Sequence, residues 1–488
     1  MKILLAGYNL DYDLIKELRD KCACAQDLTP ETISAAYARI SRSPKPVDEL
    51  RESARREVDK ARKSNRNIVF EMGHSSIAEH AVFNIDVIGV SRLLIEEIEK
   101  FRLCSYTEKS QRYVLFKKDF VIPEEIKQAG QTELFTETIG LQNDYYQELY
   151  AKLRPYVFAQ NKALAENPAN TPLLEGWAKE DARYVIALAT ETQLGMTINA
   201  RNLELMLRRL AALSLTEAQE YAKNLYAATK DIAPSLIRYT EAMNYDRLTR
   251  QNLRNKADSF ARKYPHPQTA KKSPAVQLSF VTPDADTKTA AALLFTSSGL
   301  AYEQCVAQAA SLAPQDKQAV LKTAFEHIKT HDAVLRELEN VDLQFELIMS
   351  SSCFAQLKRH RMATIIAQDY DPQLGVTIPP AVRAIGQQKQ FRKIMSRTQD
   401  AYEQIRKKAP LAAAYVLTNA HRKRVLMKLN ARELYHLARL RADQHAQWDI
   451  RNLTEAMLRQ AKKVMPLTLL LACGKDNFAA LYKKVYAL

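Results

Sequence analysis

Residues 430–451 read NARELYHLARLRADQHAQWDIR, and the opening word of that stretch also stands at Asn199-Ala200-Arg201, followed there by NLELMLRRL. Downstream of each copy comes Ala-Gln, at 218–219 and 446–447, and then a proline followed by apolar residues, Pro234 and Pro466. Upstream, Phe101-Arg102 answers to His360-Arg361. Four words that recur in one order, the last three at near-constant spacing, are the mark of an internal duplication. The repeat predicts a first domain at 1–244 and a second at 275–488. The segment 245–274, polar and basic with PHP and KKSP, reads as the connector.

A chain of 488 residues is long enough for two or three cores. Its apolar and charged fractions are those of an ordinary globular protein. With only 11 glycines, Gly-rich phosphate loops are not its main device for holding nucleotides. The net charge of +15 favours anionic partners: nucleotides, folates, nucleic acid or membrane surfaces. That charge is spread along the chain, with one modest cluster at Arg422-Lys423-Arg424. Six cysteines (Cys22, Cys24, Cys104, Cys305, Cys353, Cys473) include one C-x-C without a second pair at zinc-ligand spacing, so they read as reduced structural residues and no metal is expected. No apolar run approaches the roughly 20 residues of a spanning helix, and a cytoplasmic protein is the expectation.

Helical periodicity dominates, over 48–64, 90–102, 202–230, 316–340 and 430–463. Shorter β-like runs stand at 2–6, 81–88, 275–281 and 341–348, the first of them leading into a helix at DYDLIKEL. The mixture predicts an α/β or α+β fold.

Three stretches could carry chemistry. On a helix starting near Asn430, a turn of about 100° per residue places Asn430, Leu434, Leu437, Arg441, His445 and Trp448 on one face. An arginine buried there needs a partner, and Glu433 and Asp443 lie well round the helix, so a ligand or another segment is expected. Arg441 reaching past a core edge, with His445 a core histidine, fits the helix equally well. Lys358-Arg359-His360-Arg361 suits a phosphate or diphosphate, although such runs also occur on solvated surfaces. The third stretch runs from Lys100 to Tyr113, preceded by Gly73-His74-Ser75-Ser76-Ile77-Ala78-Glu79-His80. Its Glu108, Ser110, Gln111 and Arg112 offer a carboxylate, a hydroxyl, an amide and a guanidinium within five residues. That set can read a pyrimidine nucleotide, with Arg112 on the phosphate. Ser110 as a turn residue is the plainer alternative.

Together these words resemble the flavin-dependent thymidylate synthases. That family carries Arg-His-Arg, seven residues and then a serine, with an upstream Gly-His-x-Ser…Glu-His element and a downstream Asn-Ala-Arg helix ending in Arg…His-Ala-Gln-Trp-Glu-Ile. Here Arg102 is followed by seven residues and Ser110, and the stretch from Arg441 to Arg451 closely matches the last element. The resemblance spans both halves except the connector and 280–325. It implies two tandem copies of a helix-rich fold, each with a central, mainly antiparallel sheet.

The copies depart from the pattern in opposite ways. The first replaces the leading Arg-His by Lys100-Phe101 but keeps Glu108, Ser110, Gln111 and Arg112; Arg183 matches a further nucleotide-contacting arginine. Its Asn199 helix has Leu210 where the second copy has Arg441. The second copy keeps Arg359-His360-Arg361, places Asp369 and Asp371 at the nucleotide loop, and has Ala414 opposite Arg183. Two carboxylates beside a phosphate dianion cost on the order of several kcal/mol in a shielded site. One complete site is therefore expected to combine the first copy's loop and Arg183 with the second copy's Arg441, His445 and Asn430 helix. Family enzymes are homotetramers whose sites draw on several subunits, so a fused chain would form a homodimer, a pseudo-tetramer.

The resemblance implies reductive methylation of dUMP to dTMP, with methylenetetrahydrofolate as carbon donor, NADPH as reductant and FAD as carrier. Arg441 would stabilise charge developing on the uracil, and Ser110 would orient the nucleotide. His74, Arg102, Asn199, Arg201, Arg359, His360, Arg361, Asn430, Arg432 and His445 are the candidate flavin contacts. Two alternatives stand beside this: a related flavin enzyme acting on another pyrimidine, including one in RNA, and a non-catalytic nucleotide- or nucleic-acid-binding descendant.

Overall fold

The computed structural model describes residues 1–8, 29–40, 43–112, 114–116, 119–264 and 274–487. Cys22, Cys24, Tyr113, the helix expected at DYDLIKEL and most of the PHP–KKSP segment lie outside them.

Among the described residues, eight strands form two four-stranded antiparallel sheets. The first joins β1 (Lys2–Tyr8), β2 (Val82–Ser91), β3 (Cys104–Glu108) and β4 (Glu191–Asn199) in the order β1-β2-β4-β3. The second joins β5 (Val276–Val281), β6 (Asp342–Ser350), β7 (Thr364–Ala367) and β8 (Arg422–Asn430) in the order β5-β6-β8-β7. The order is the same, and the central pairs begin in the same register, Val82 opposite Asn199 and Asp342 opposite Asn430, with a bulge between Ile88 and Val90 in β2 that β6 lacks. A helix-rich α+β fold is thus present twice.

The two Asn-Ala-Arg words do one local job. Each asparagine ends a strand and caps the next helix: Asn199 Oδ1 accepts from Asn202 N at 3.0 Å, and Asn430 Oδ1 from Glu433 N at 2.8 Å. Ser91 and Ser350 repeat the device at the ends of β2 and β6, each accepting a backbone N–H three residues on at 3.0 Å. Alternating side chains of β2 and β4 (Phe83, Ile85, Val87; Leu194, Met196, Ile198) then bury against Leu203, Met206 and Leu207 of helix Ala200–Ala211. In the other sheet Leu343, Phe345, Leu347 and Val425, Met427, Leu429 bury against Leu434 and Leu437 of helix Ala431–Arg441.

Several expected helices are shorter than their periodicity suggested. The stretch 430–463 divides into Ala431–Arg441 and Trp448–Val464, and 202–230 into helices Ala200–Ala211 and Thr216–Thr229. His445 and Trp448 therefore do not continue the Arg441 face; the chain turns at Ala442. The Ala-Gln words are also not equivalent, because 218–219 lies inside a helix and 446–447 before one. The structural counterparts are Glu217 and Asp449, each second in its helix. In the connector, Asn244–Lys263 is a helix with no buried residue. The region 280–325 holds helices Ala285–Ser297, Tyr302–Ser311 and Pro314–Phe325.

Chain contacts define two compact units, neither of them continuous in sequence. The first comprises 1–179, 186–268 and 392–417; the second 180–185, 269–391 and 418–488. In the first, Ala401, Ile405, Ala412 and Val416 bury with Ile126, Phe135 and Ile139, the last two on helix Thr132–Gln160. Gln142 Nε2 donates there to Thr398 Oγ1 and to the Val416 carbonyl, both at 2.9 Å.

Candidate functional site

In the second unit Arg441 ends its helix, and the partner that the helix itself could not supply comes from the Arg-His-Arg turn. Arg441 Nε donates to His360 Nε2 at 3.1 Å, and Nη2 to the Gln356 carbonyl at 3.3 Å. His360 is buried, and its Nδ1 faces Glu433 Oε1 at 3.3 Å. Burial lowers the imidazole pKa, with Glu433 opposing and Arg441 assisting. A neutral ring protonated on Nδ1 satisfies both contacts, donating to Glu433 and accepting from Arg441. The guanidinium is thereby gripped along one edge in a fixed plane.

A short run of the first half is built into this unit. The Asn419 side chain donates to the Arg183 carbonyl at 2.9 Å, and Ala420 N to the Tyr184 carbonyl at 2.9 Å. The Tyr184 ring stacks on Trp448 with centroids 5.6 Å apart, and its hydroxyl donates to Asp449 Oδ2 at 2.9 Å. Gln447 Nε2 donates to that hydroxyl at 3.0 Å, and Gln356 Nε2 to Gln447 Oε1 at 3.3 Å. A chain of contacts thus joins the residue after Arg183 to Gln356, whose carbonyl holds Arg441. Trp448 Nε1 donates to Asp181 Oδ1 at 2.7 Å, and burial pushes the Asp181 carboxyl up to about 7.

The first unit carries the nucleotide loop. Glu108 ends β3 and forms an ion pair with Arg92, both side chains nearly sealed from solvent. Burial costs Arg92 charge stability, but Glu108, Glu96 and Glu99 more than offset it and keep the guanidinium charged. Glu108 is therefore anchored to Arg92. Ser110 Oγ accepts from Arg112 N at 3.1 Å, which makes it the turn residue of the loop. Gln111 is buried and Arg112 half-buried. A cavity of about 300 Å³ beside the loop is lined by Lys109 and Phe116 but also by Asp119 and Glu191, which suit a phosphate poorly. Arg183 belongs to the second unit, so it does not share a compact unit with the loop to which the sequence assigned it.

The other expected residues are divided. His74, Arg102, Arg361 and His445 are exposed, and Arg359 is half-buried. Asn199 and Asn430 serve as caps. Arg201 pairs with Glu79, while Arg432 donates to the Val334 carbonyl at 2.9 Å and to Glu339 at 2.9 Å. Those four side chains thus have local structural tasks. Asp371 caps a short turn by accepting from Gln373 N at 2.9 Å. The basic cluster on β8 is internally matched: Arg424 pairs with Glu346, Arg422 donates to Thr377 at 2.9 Å, and buried Lys423 lies over the Tyr370 ring at 3.9 Å. It offers no open cationic stripe for nucleic acid.

Sequence reasoning missed Arg92, Asp181, Tyr184 and Asp449. One signal was present. Tyr184 and Tyr415 stand at the spacing that relates Asn199 to Asn430, and both donate to a buried carboxylate: Tyr184 to Asp449, and Tyr415 to Glu217 Oε2 at 2.6 Å.

Comparison with known proteins agrees with the duplication. The family model described as thymidylate synthase complementing protein matches residues 25–235 and again 277–467, so the likeness extends through 280–325. A UPF0159 protein of Chlamydia muridarum is 24% identical over 424 residues, covering 84% of this chain and 80% of that protein. A UPF0159 protein of Thermoplasma acidophilum is 22% identical, over 88% of this chain and 93% of its own. A flavin-dependent thymidylate synthase of Clostridium tetani is 31% identical over 216 residues, 43% of this chain and 82% of that enzyme. A structure of the flavin-dependent thymidylate synthase of Helicobacter pylori, complexed with FAD and dUMP, matches 49% of this chain and all of that one at 17% identity; its TM-score of 0.31 is too low to bear on the fold. With most of its length matched in two successive blocks, the chain belongs to the family of thymidylate synthase complementing proteins.

Proposed function

We propose that this protein is an FAD-dependent thymidylate synthase that reductively methylates dUMP to dTMP, with methylenetetrahydrofolate and NADPH as cosubstrates. The observation that carries the reading is Arg441, a guanidinium fixed at 3.1 Å by a neutral, buried His360 that is itself steered by Glu433. Methylation at C5 of a uracil requires electron density to move from the ring carbonyls onto that carbon. A preorganised cation at a carbonyl stabilises the charge that develops, without reorganising during reaction. Because His360 stays neutral, it orients Arg441 without competing with it as a second cation.

Arg441 binds and polarises the base in this reading, and Ser110, Gln111, Arg112 and Arg183 hold and orient the nucleotide. Glu108 fixes the loop through Arg92. The donor set suits FAD: Arg359 and Arg361 are cations for its diphosphate, with His360 between them, and exposed His74, Arg102 and His445 offer further polar contacts. Asn199, Arg201, Asn430 and Arg432 support the flavin-contacting segments through their local bonds. FAD, when bound, supplies the redox-active ring that passes reducing equivalents between NADPH and the transferred carbon. We further propose the copies 1–244 and 275–488, with 245–274 between them, as the units of duplication, and a homodimer as the assembly.

The test is a visible absorption spectrum of purified protein, followed by assays of dUMP-dependent NADPH oxidation and dTMP formation. A yellow protein that makes dTMP supports the reading. A yellow protein that oxidises NADPH without dTMP formation redirects it to another pyrimidine. A colourless protein that takes up no FAD ends it.

A further inference from the structure

The turn between Arg441 and Trp448 does not hold its shape alone. Asp443 organises it from within, its Oδ1 accepting from His445 N at 2.8 Å and its carbonyl accepting from Ala446 N at 3.0 Å. Arg451 Nη1 donates to the Gln444 carbonyl at 3.0 Å, and further support comes from a second turn, Gly474–Asn477. Asp476 Oδ2 accepts from Gln444 N at 3.2 Å, and Asp476 N donates to Asp443 Oδ2 at 3.1 Å. Each aspartate carboxylate thus accepts a backbone N–H from the other turn, Asp476 from Gln444 and Asp443 from Asp476. Asp443 is buried, so its carboxylate is not relaxed by water.

Gly474 makes this approach possible. Its backbone angles, φ −62° and ψ 152°, are open to any residue, so conformation does not demand glycine there. Space does: a Cβ at 474 would stand 2.2 Å from the Ala442 carbonyl oxygen and 2.6 Å from its carbon. Those are backbone atoms of the residue immediately after Arg441, and they cannot yield without moving the turn. The second turn also lies past residue 467, where the family match ends.

We propose that the Gly474–Asn477 turn is a positioning element that sets the backbone between Arg441 and Trp448, and through it the placement of Arg441 and His445 toward base and flavin. The inference rests on the thymidylate synthase reading for its functional part. Gly474 and Asp476 touch no reacting atom; they act through Ala442, Asp443 and Gln444.

The test uses the full-length protein with Gly474→Ala, Asp476→Ala and Asp476→Asn. The asparagine variant keeps an oxygen for Gln444 N and is the conservative control. The readout that needs no flavin is acrylamide quenching of Trp448 emission in a Trp177→Phe background, since Trp448 leads the helix that follows the turn. Gly474→Ala and Asp476→Ala are expected to raise the quenching constant about twofold, with Asp476→Asn near wild type. A misplacement of about an ångström can cost on the order of a hundredfold in rate. For the same two variants kcat for dTMP formation should fall by about ten- to a hundredfold, with KM for NADPH little changed and the flavin absorption band shifted. If Gly474→Ala does not fold, Asp476→Ala and its asparagine partner decide the matter. Quenching, spectrum and kcat all at wild-type values in Asp476→Ala would overturn the proposal. If wild-type protein takes up no flavin and makes no dTMP, the functional reading fails instead, and the quenching constants alone then support or overturn the brace.

Discussion

Arg441 shows how far a single residue could be read before its surroundings were known. Its need for a partner followed from its place among leucines; its full burial did not hold, for it is half-buried at the end of its helix. The identity of that partner did not, because His360 and Gln356 lie some eighty residues away and nothing local points to them. Fixing the guanidinium by its edge gives the residue a sharp test. Arg441→Ala should lower dUMP-dependent turnover by roughly a hundred- to a thousandfold, the usual effect of removing a preorganised donor. Arg441→Lys should do little better, since an ammonium cannot reproduce the planar fork. Arg112→Ala should lower turnover by a similar factor, with KM for dUMP raised, whereas Asp371→Ala should be nearly silent because that carboxylate caps an exposed turn. Asp371→Ala as damaging as Arg112→Ala would remove the division of roles between the copies. Asp181 gives a pH test. Its usual value lies near 4 and its folded value at about 7, so the folded state holds the proton more tightly. Its contribution to stability is full below about pH 4 and is lost as the pH rises through about 7. The melting temperature of wild type minus that of Asp181→Asn should therefore fall across that window, and a flat difference would refute the assignment.

Among the elements, four strands were legible and four were not. Of the readable ones, β1 is a short apolar run, and β2, β5 and β6 alternate apolar with polar residues. Two of the missed ones, β3 and β7, are only five and four residues long, and β8 reads RKRVLMKLN, its core-facing Val425, Met427 and Leu429 preceded by three cations. A cationic strand of that kind resembles a surface segment until its pairing is known. The helices were overextended for a related reason. Periodicity carries across a turn such as Ala442–Gln447 whenever the flanking helices expose similar faces, and only the caps reveal the break. The asparagine caps are themselves testable: Asn430→Ala should cost about 1 kcal/mol in denaturant unfolding. The paired tyrosines should matter more. Glu217 collects Ser91 N, Ser91 Oγ and Tyr415 OH within 2.7 Å, and Asp449 collects Ser350 Oγ at 2.5 Å and Tyr184 OH. Tyr184→Phe and Tyr415→Phe each leave a buried carboxylate short of a donor, a loss of about 1–3 kcal/mol. Equal denaturation midpoints for wild type and both variants would show the hydroxyls to be dispensable.

Across the whole molecule, duplication was legible and the membership of the compact units was not. The repeated words establish two copies, but copies with the same apolar pattern can accept one another's segments, and Ile405, Ala409 and Ala412 would suit either core. In the structure they complete the first unit, and residues 180–185 complete the second. Expressing 1–244 and 275–488 as separate chains should therefore give two poorly soluble products, and producing both in one cell should restore soluble protein. Two fragments that each unfold cooperatively alone would contradict this arrangement. There is also a consequence in time. The first unit waits for residue 417, so about 170 residues beyond position 244 must be synthesised before its last apolar face is covered. At about 5–20 residues per second this takes roughly ten to thirty seconds, during which Ile126, Phe135 and Ile139 lack their covering. A ribosome-bound intermediate of this protein should therefore be a client for holding chaperones, and slowing its translation should cost yield.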